Sequence, residues 1–397
     1  MKKIAAAVGA CLLTLVAGCG TSSGGSSTTS GGVFTAPDVP QKKSLGAKEG
    51  ALNILAWPGY AEDGSNDPKT NWVTPFEKQT GCTTTVKYFG TSDEAVTLMK
   101  TGEYDVVSAS GDASLRLVAS GDVAPVNTGL ISSWADIRPF LKDRPWNSVK
   151  GQMYGIPQGW GANLLMWRTD TVKPAPTDWG AVFAKNSPYA GKITAYDAPI
   201  YIADAALYLM QTKPALGIKN PYALDQKQLA AAVALLKVQR PQVSEYWNDY
   251  LKEVSAFTSG DTVLGTTWQL ITGLLQADKV PVKAIFPKGG STGWSDTWMV
   301  SAKSKHSNCA YAWMDYITSA KVNAESAYYF GEAPANVKAC DLVPDKTFCD
   351  TFHAADKAFA DQIWYWTTPI QQCLDGRKNV QCTDYGDWTQ AWTEIKG

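Results

Sequence analysis

Aromatic rings set beside carboxylates are the residues in this 397-residue chain whose spacing most suggests chemistry. The chain carries 16 Trp and 17 Tyr, and many stand next to Gly, Pro or Asp rather than inside apolar runs. Trp57-Pro58-Gly59-Tyr60, Gly159-Trp160-Gly161, Thr267-Trp268-Gln269, Gly293-Trp294-Ser295-Asp296 and Trp364-Tyr365-Trp366 are examples. An aromatic face attracts an organic cation by about 0.5–2 kcal/mol, and a carboxylate accepts its N–H bonds. The competing use of any single ring is core packing, which most Trp and Tyr serve. The pattern therefore suits recognition of a small organic ammonium ion.

Groups for covalent or acid–base chemistry are scarce. The chain has two histidines, His306 and His353, both in polar surroundings. Gly289-Gly290-Ser291-Thr292-Gly293 matches the spacing of a nucleophile elbow, but that turn must lead from a strand into a helix and here a strand follows. It reads as a Gly-rich loop. There is no phosphate-binding loop, dinucleotide fingerprint or H-E-x-x-H metal motif. No enzyme, cofactor or metal is expected, and the balance of 36 basic and 37 acidic residues gives no electrostatic footprint for nucleic acid.

The elements that must position these residues follow from periodicity. Leu52 to Ala56 reads as a strand, with Trp57 at its end, followed by a helix carrying Trp72, Val73 and Phe76. Thr83 to Tyr88 is a second strand, Ser92 opens a helix with Val96, Leu98 and Met99, and Tyr104 to Val107 is a third strand ending near Ser110. This β-α-β-α-β order predicts a parallel sheet whose ligand loops lie at the carboxyl ends of its strands. A second α/β stretch begins near Gln158, with strands at Leu164 to Trp167 and Ile193 to Ala195 and an Ala-rich helix from Ala203 to Met210. Val282 to Phe286 and Thr297 to Val300 are further strands bracketing Pro287 to Asp296, and Asn308 to Ile317 is helical. Two such α/β units leave a cleft between them, the usual place for a small ligand.

The first residues assign the compartment. Lys2 and Lys3 precede an apolar run from Ile4 to Val16, an export signal too short to span a bilayer. The run ends in Leu15-Val16-Ala17-Gly18-Cys19, which resembles a bacterial lipobox, so residues 1–18 are expected to be removed and Cys19 to carry the lipid. The Gly/Ser/Thr-rich segment that follows would tether the body to the membrane, within a region extending over 19–49. Cys82, Cys309, Cys340, Cys349, Cys373 and Cys382 then remain, an even set that reads as disulfides outside the cytosol. Cys340/Cys349 and Cys373/Cys382 each close a short loop, leaving Cys82 with Cys309.

Taken together, Leu52-Asn53-Ile54-Leu55-Ala56-Trp57-Pro58-Gly59-Tyr60, Tyr104-Asp105-Val106-Val107-Ser108-Ala109-Ser110-Gly111-Asp112, Gly155-Ile156-Pro157-Gln158-Gly159-Trp160-Gly161 and Phe286-Pro287-Lys288-Gly289-Gly290 running into Trp294-Ser295-Asp296 resemble the spermidine/putrescine-type periplasmic binding proteins of ABC importers. The resemblance runs from Leu52 to the C-terminus. It implies an α/β, two-lobed periplasmic-binding-protein fold of the type II kind, with hinged lobes on central mixed sheets. Lobe 1 would comprise 50–157 and 297–336, and lobe 2 158–296 and 337–397. It further implies a polyamine-like ligand, an inner-membrane ABC permease as partner, and lobe closure as the signal that the permease reads. One chain supplies both walls of the cleft, so a monomer suffices.

Ligand contacts carried over from the family are Trp57, Tyr60, Ser110, Asp197, Trp268, Trp294 and Asp296. The three Trp would hold an aliphatic chain, and the two Asp its ammonium groups. This chain departs from the family pattern at Ile200, where polyamine binders have a glutamate, at Asp112, where they have a tyrosine, and at Glu332, which replaces a further tyrosine. Asp112 and Glu332 are thus added as candidate carboxylates. A quaternary amine, an amino acid or a sugar remains the alternative ligand.

Overall fold

Alternation in the first strand decides which helix covers which face of the sheet. The computed structural model describes residues 34–397; the signal segment, Cys19 and residues 20–33 of the tether region lie outside the described residues. Strands β1 (Ala51–Ala56), β2 (Thr83–Tyr88) and β3 (Val106–Ala109) are parallel in the order β2-β1-β3. Leu52 and Ile54 pack with Val73 and Phe76 of helix Val73–Thr80, while Leu55 points the other way, among Val96 and Met99 of helix Ser92–Lys100. Thr91 caps the latter helix by accepting from the Glu94 N–H. The third strand runs two residues later than the periodicity indicates, which puts Ser110 directly after it.

A short hairpin of β4 (Ser148–Val149) and β5 (Gln152–Met153) leads into β6 (Ile156–Ala162) and β7 (Leu164–Arg168). The remaining strands are β8 (Ile193–Tyr196), β9 (Val243–Trp247), β10 (Leu264–Thr267), β11 (Val282–Ile285), β12 (Ser291–Val300), β13 (Ala333–Pro334) and β14 (Ile363–Tyr365). They form two mixed sheets. The first runs β13-β6-β12-β3-β1-β2, with β14 attached to β12, and the second runs β11-β7-β10-β8-β9. The chain changes sheet at Asn163 and again between Ile285 and Ser291.

The expected lobe boundaries at 157/158 and 296/297 fall inside β6 and β12, which continue through them. What lies there is a bulge: Asp296 pairs with Gly159 and Thr297 with Pro157, leaving Gln158 unmatched. The Gly-rich stretch read as a loop is also a strand from Ser291 onward, because β6 and β14 pair with it on either side. The C-terminal region 337–397 divides between the sheets. β14 joins the first, while helix Tyr385–Lys396, opened by a reciprocal Asp384–Asp387 capping box, buries Trp388, Trp392 and Ile395 in the core of the second.

Three disulfides, Cys82–Cys309, Cys340–Cys349 and Cys373–Cys382, pair as the sequence indicates. The first ties the residue ahead of β2 to helix Ser307–Ile317. Among the described residues, no helix is long and apolar enough to cross a membrane.

Candidate functional site

Strand ends and one bulge bring a set of acids and rings together. Ser110, the residue between β3 and helix Gly111–Ala119, donates its hydroxyl to Asp296 Oδ1 at 2.6 Å and accepts from the Trp57 indole N–H at 3.2 Å. Tyr60 Oη lies 2.8 Å from Asp296 Oδ2 and 2.7 Å from Glu332 Oε2. All three oxygen-bearing groups of this trio are buried. Burial pushes Asp296 up to about 6 despite the opposing bonds from Ser110 and Tyr60, and the charge of Asp112 adds to the rise. Burial, followed by the charge of Asp296, holds Glu332 well above the usual carboxylate range.

Close backbone approach explains two glycines here. A side chain at Gly159 would meet the Glu332 carboxyl carbon at 2.1 Å, and one at Gly161 would meet the Trp294 ring at 2.8 Å. Glu332 and Trp294 therefore lie flat against β6. Gln158, thrown out of register by the bulge, accepts from the Trp298 indole at 2.9 Å and turns its amide N–H groups toward Ser326 at 2.9 Å and Glu332 Oε1 at 3.4 Å.

Rings from both sheets continue the wall. Trp294 lies 5.9 Å from Trp268 and 6.0 Å from Phe330, which in turn is 4.5 Å from Tyr60. Trp268, at the end of β10, contacts Tyr196 at 5.8 Å and Trp247 at 4.9 Å. Its indole N–H donates to Asn163 Oδ1 at 3.0 Å. Asn163 donates to Thr292 Oγ1 at 2.6 Å, and Thr292 to the buried Asp204 at 2.8 Å. That chain of bonds fixes the rotation of Trp268 from the point where the strands change sheet.

Asp112 is buried in the first turn of helix Gly111–Ala119, where it accepts from Ser92 Oγ at 2.9 Å. Burial raises its carboxyl to about 6, against the bond from Ser92 and the charge of Arg116. Tyr196, from the second sheet, is raised by burial first and then by the charges of Asp112, Asp296 and Asp197. Among the described residues, neither Asp112, Asp296 nor Glu332 has an ion-pair partner. Arg116 instead pairs with Asp93 and covers the Tyr385 ring at 4.1 Å.

The structure does not bring every candidate into this group. Asp197 is half-buried, its two oxygens both 2.9 Å from Lys396 Nζ, which also sits 4.0 Å over the Tyr246 ring. The chain's own lysine thus occupies the carboxylate expected to hold a ligand ammonium. Ile200 is fully buried in the second core. Residues that sequence reasoning missed are Tyr196, Trp366, Phe330 and Asn163. The Trp366 ring lies 5.2 Å from Tyr196, tilted by 31°, and the Trp364-Tyr365-Trp366 run was its only signal.

A model of the family described as bacterial extracellular solute-binding protein matches residues 71–361. The chain is 24% identical over 307 residues to spermidine/putrescine-binding periplasmic protein 1 of Haemophilus influenzae, covering 76% of this chain and 80% of that protein. It is also 24% identical over 322 residues to the putrescine-binding periplasmic protein PotF of Escherichia coli, covering 76% and 82%. The crystal structure of the spermidine/putrescine ABC transporter substrate-binding protein PotD from Streptococcus pneumoniae superposes with a TM-score of 0.65 at 19% identity, covering 87% of this chain and 97% of that one. The shared fold is the two-lobed binding-protein fold, and these proteins bind solutes rather than transform them.

Proposed function

The chain belongs to the bacterial extracellular solute-binding proteins, and on that footing we propose that it captures a small organic cation of the putrescine or spermidine kind between its two sheets and delivers it to an ABC permease. The observation that supports this reading most is Asp296 with Asp112: two buried carboxylates without an ion-pair partner among the described residues, set among Trp57, Tyr60, Tyr196, Trp268 and Trp294. A buried carboxylate without a counter-charge is costly, and a ligand ammonium group supplies one. Trp57, Trp268 and Trp294 offer faces to an alkyl chain, and Ser110 orients Asp296. Lipid attachment at Cys19, with residues 1–18 removed and a tether behind it, would keep the protein on the outer face of a membrane as a monomer, near its permease.

Calorimetric titration of the mature, ligand-free protein with putrescine, spermidine, γ-aminobutyrate, choline and a neutral sugar tests the reading. Saturable binding of a diamine or polyamine at about micromolar affinity or tighter, near −8 kcal/mol, is the expected result. Heat from the sugar alone, with none from any cation, would overturn it.

A further inference from the structure

Tyr60 presents a counting problem in protons. A phenol has one hydrogen to donate, yet Tyr60 Oη is within hydrogen-bond distance of two carboxyl oxygens, Asp296 Oδ2 at 2.8 Å and Glu332 Oε2 at 2.7 Å. It can donate to one of them. The other contact is a hydrogen bond only where that carboxyl carries a proton and donates to the phenol; otherwise two lone pairs face each other in a buried site.

The remaining partners decide which acid it is. Asp296 Oδ1 accepts from Ser110, whose own oxygen accepts from the Trp57 indole, so the Ser110 hydrogen is committed to Asp296. Glu332 Oε1 faces the Gln158 amide nitrogen, because the Trp298 indole, a donor only, holds the Gln158 oxygen on its other side. The free position on Glu332 is thus Oε2, the atom that faces Tyr60. Each acid therefore has one oxygen held by a donor and the other facing Tyr60, but Ser110 reaches Asp296 at 2.6 Å whereas Gln158 reaches Glu332 only at 3.4 Å, so the negative charge is better held on Asp296. Burial and the nearby Asp296 charge both favour the neutral form of Glu332.

We propose that Glu332 is a neutral carboxylic acid that donates to Tyr60, which donates to an ionised Asp296, so that the site offers its ligand two charged carboxylates, Asp296 and Asp112, rather than three. This rests on the cation-binding reading above. Glu332 is then a positioning residue: it orients the Tyr60 hydrogen toward Asp296 and makes no ion pair with ligand. Two ionised acids are the complement of a dication. Other groups acting on the trio are Asp112 of helix Gly111–Ala119, which raises Asp296, and Tyr196 of β8, which lies within range of both. Ser110, Gln158, Ser326 and Trp298 complete its polar surroundings.

The test is E332Q beside D296N, each titrated with putrescine and checked for folding by circular dichroism. A glutamine keeps a donor toward Tyr60, so E332Q should bind putrescine within about threefold of wild type across neutral pH and with the same pH profile. Its infrared difference spectrum against wild type should show loss of a protonated-carboxyl C=O band at neutral pH. A folded E332Q with affinity reduced about thirtyfold or more, and no such band in the difference spectrum, would overturn the proposal. Unchanged affinity in D296N would instead remove the cation-binding reading itself. Should E332Q not fold, Y60F takes its place: the same band must shift when the phenol acceptor is removed, and an unmoved spectrum would count against the relay.

Discussion

Replacing Asp296 by asparagine should move stability and affinity in opposite directions. In the unliganded protein the Asp296 carboxyl is raised from 3.8 to about 6 by burial. Keeping such a group ionised in the folded protein costs roughly 3 kcal/mol once the pH is above both values. Asparagine is nearly isosteric and its oxygen can still accept from Ser110, but its N–H would face the Tyr60 oxygen to which Glu332 already donates, leaving the Tyr60 hydrogen without its acceptor. That lost bond offsets about 1–2 kcal/mol of the gain, so D296N should be more stable than wild type without ligand at neutral pH by about 1–2 kcal/mol. For a body of this size that is a melting-temperature rise of a few degrees, roughly 1–2 °C per kcal/mol, by scaling from smaller domains. Affinity should fall at the same time, because a charge-assisted hydrogen bond contributes about 1.5–3 kcal/mol, which is roughly ten- to 150-fold. Thermal melting and calorimetric titration of the same sample read both effects. A D296N protein that melts lower than wild type and binds putrescine as tightly would refute the reasoning, since Asp296 would then be a structural acceptor and not a ligand contact.

Three other outcomes follow from the same charges and covalent links. Because Asp296 and Asp112 are both raised to about 6, cation affinity should be full above that pH and decline by about tenfold per pH unit below it, more steeply if both acids contact the ligand; a flat titration series across this window would exclude them. Unliganded stability should run the other way, since the raised values favour folding below about pH 4 and that contribution is lost as the pH rises through 6. Cys82–Cys309 closes a loop with a sequence separation of 227, for which chain entropy gives about 5 kcal/mol. The paired Cys82→Ser, Cys309→Ser variant should therefore unfold at markedly lower denaturant, and an unchanged midpoint would mean that the unfolded chain is already compact.

The parts of the site that were legible in the sequence are those governed by local periodicity. Trp57 and Ser110 were readable because parallel β-α-β order forces ligand loops to strand ends, and the strand boundaries needed only to be right within two residues. Trp294 and Asp296 were readable as a pair, although the strand carrying them extends through Gly293 where composition suggested a loop. Pairing of Ser291–Gly293 with β14, joined by β6 from Gly293 onward, overrides that composition, and β14 comes from some seventy residues further along. Asp197 shows the opposite failure. Nothing near it in sequence announces Lys396, which reaches it because a C-terminal helix folds back over the second core. Tyr196 and Trp366 meet by the same long-range logic, and a local reading had no way to join them.

The role of Glu332 lay beyond any pattern, since it depends on a bulge. Gln158 is extra to the β6–β12 register, and only in that position can its amide turn one end to Trp298 and the other to Glu332. A regular strand would place residue 158 opposite β12 and leave Glu332 Oε1 without its donor. The bulge thereby fixes which oxygen of Glu332 is free to carry a proton. In the relay proposed above, a proton there turns the Tyr60 hydrogen toward Asp296, whose charge the ligand would meet. On that reading the charge offered to a ligand depends on Gln158, the residue left unmatched between β6 and β12, as well as on Asp296 and Asp112.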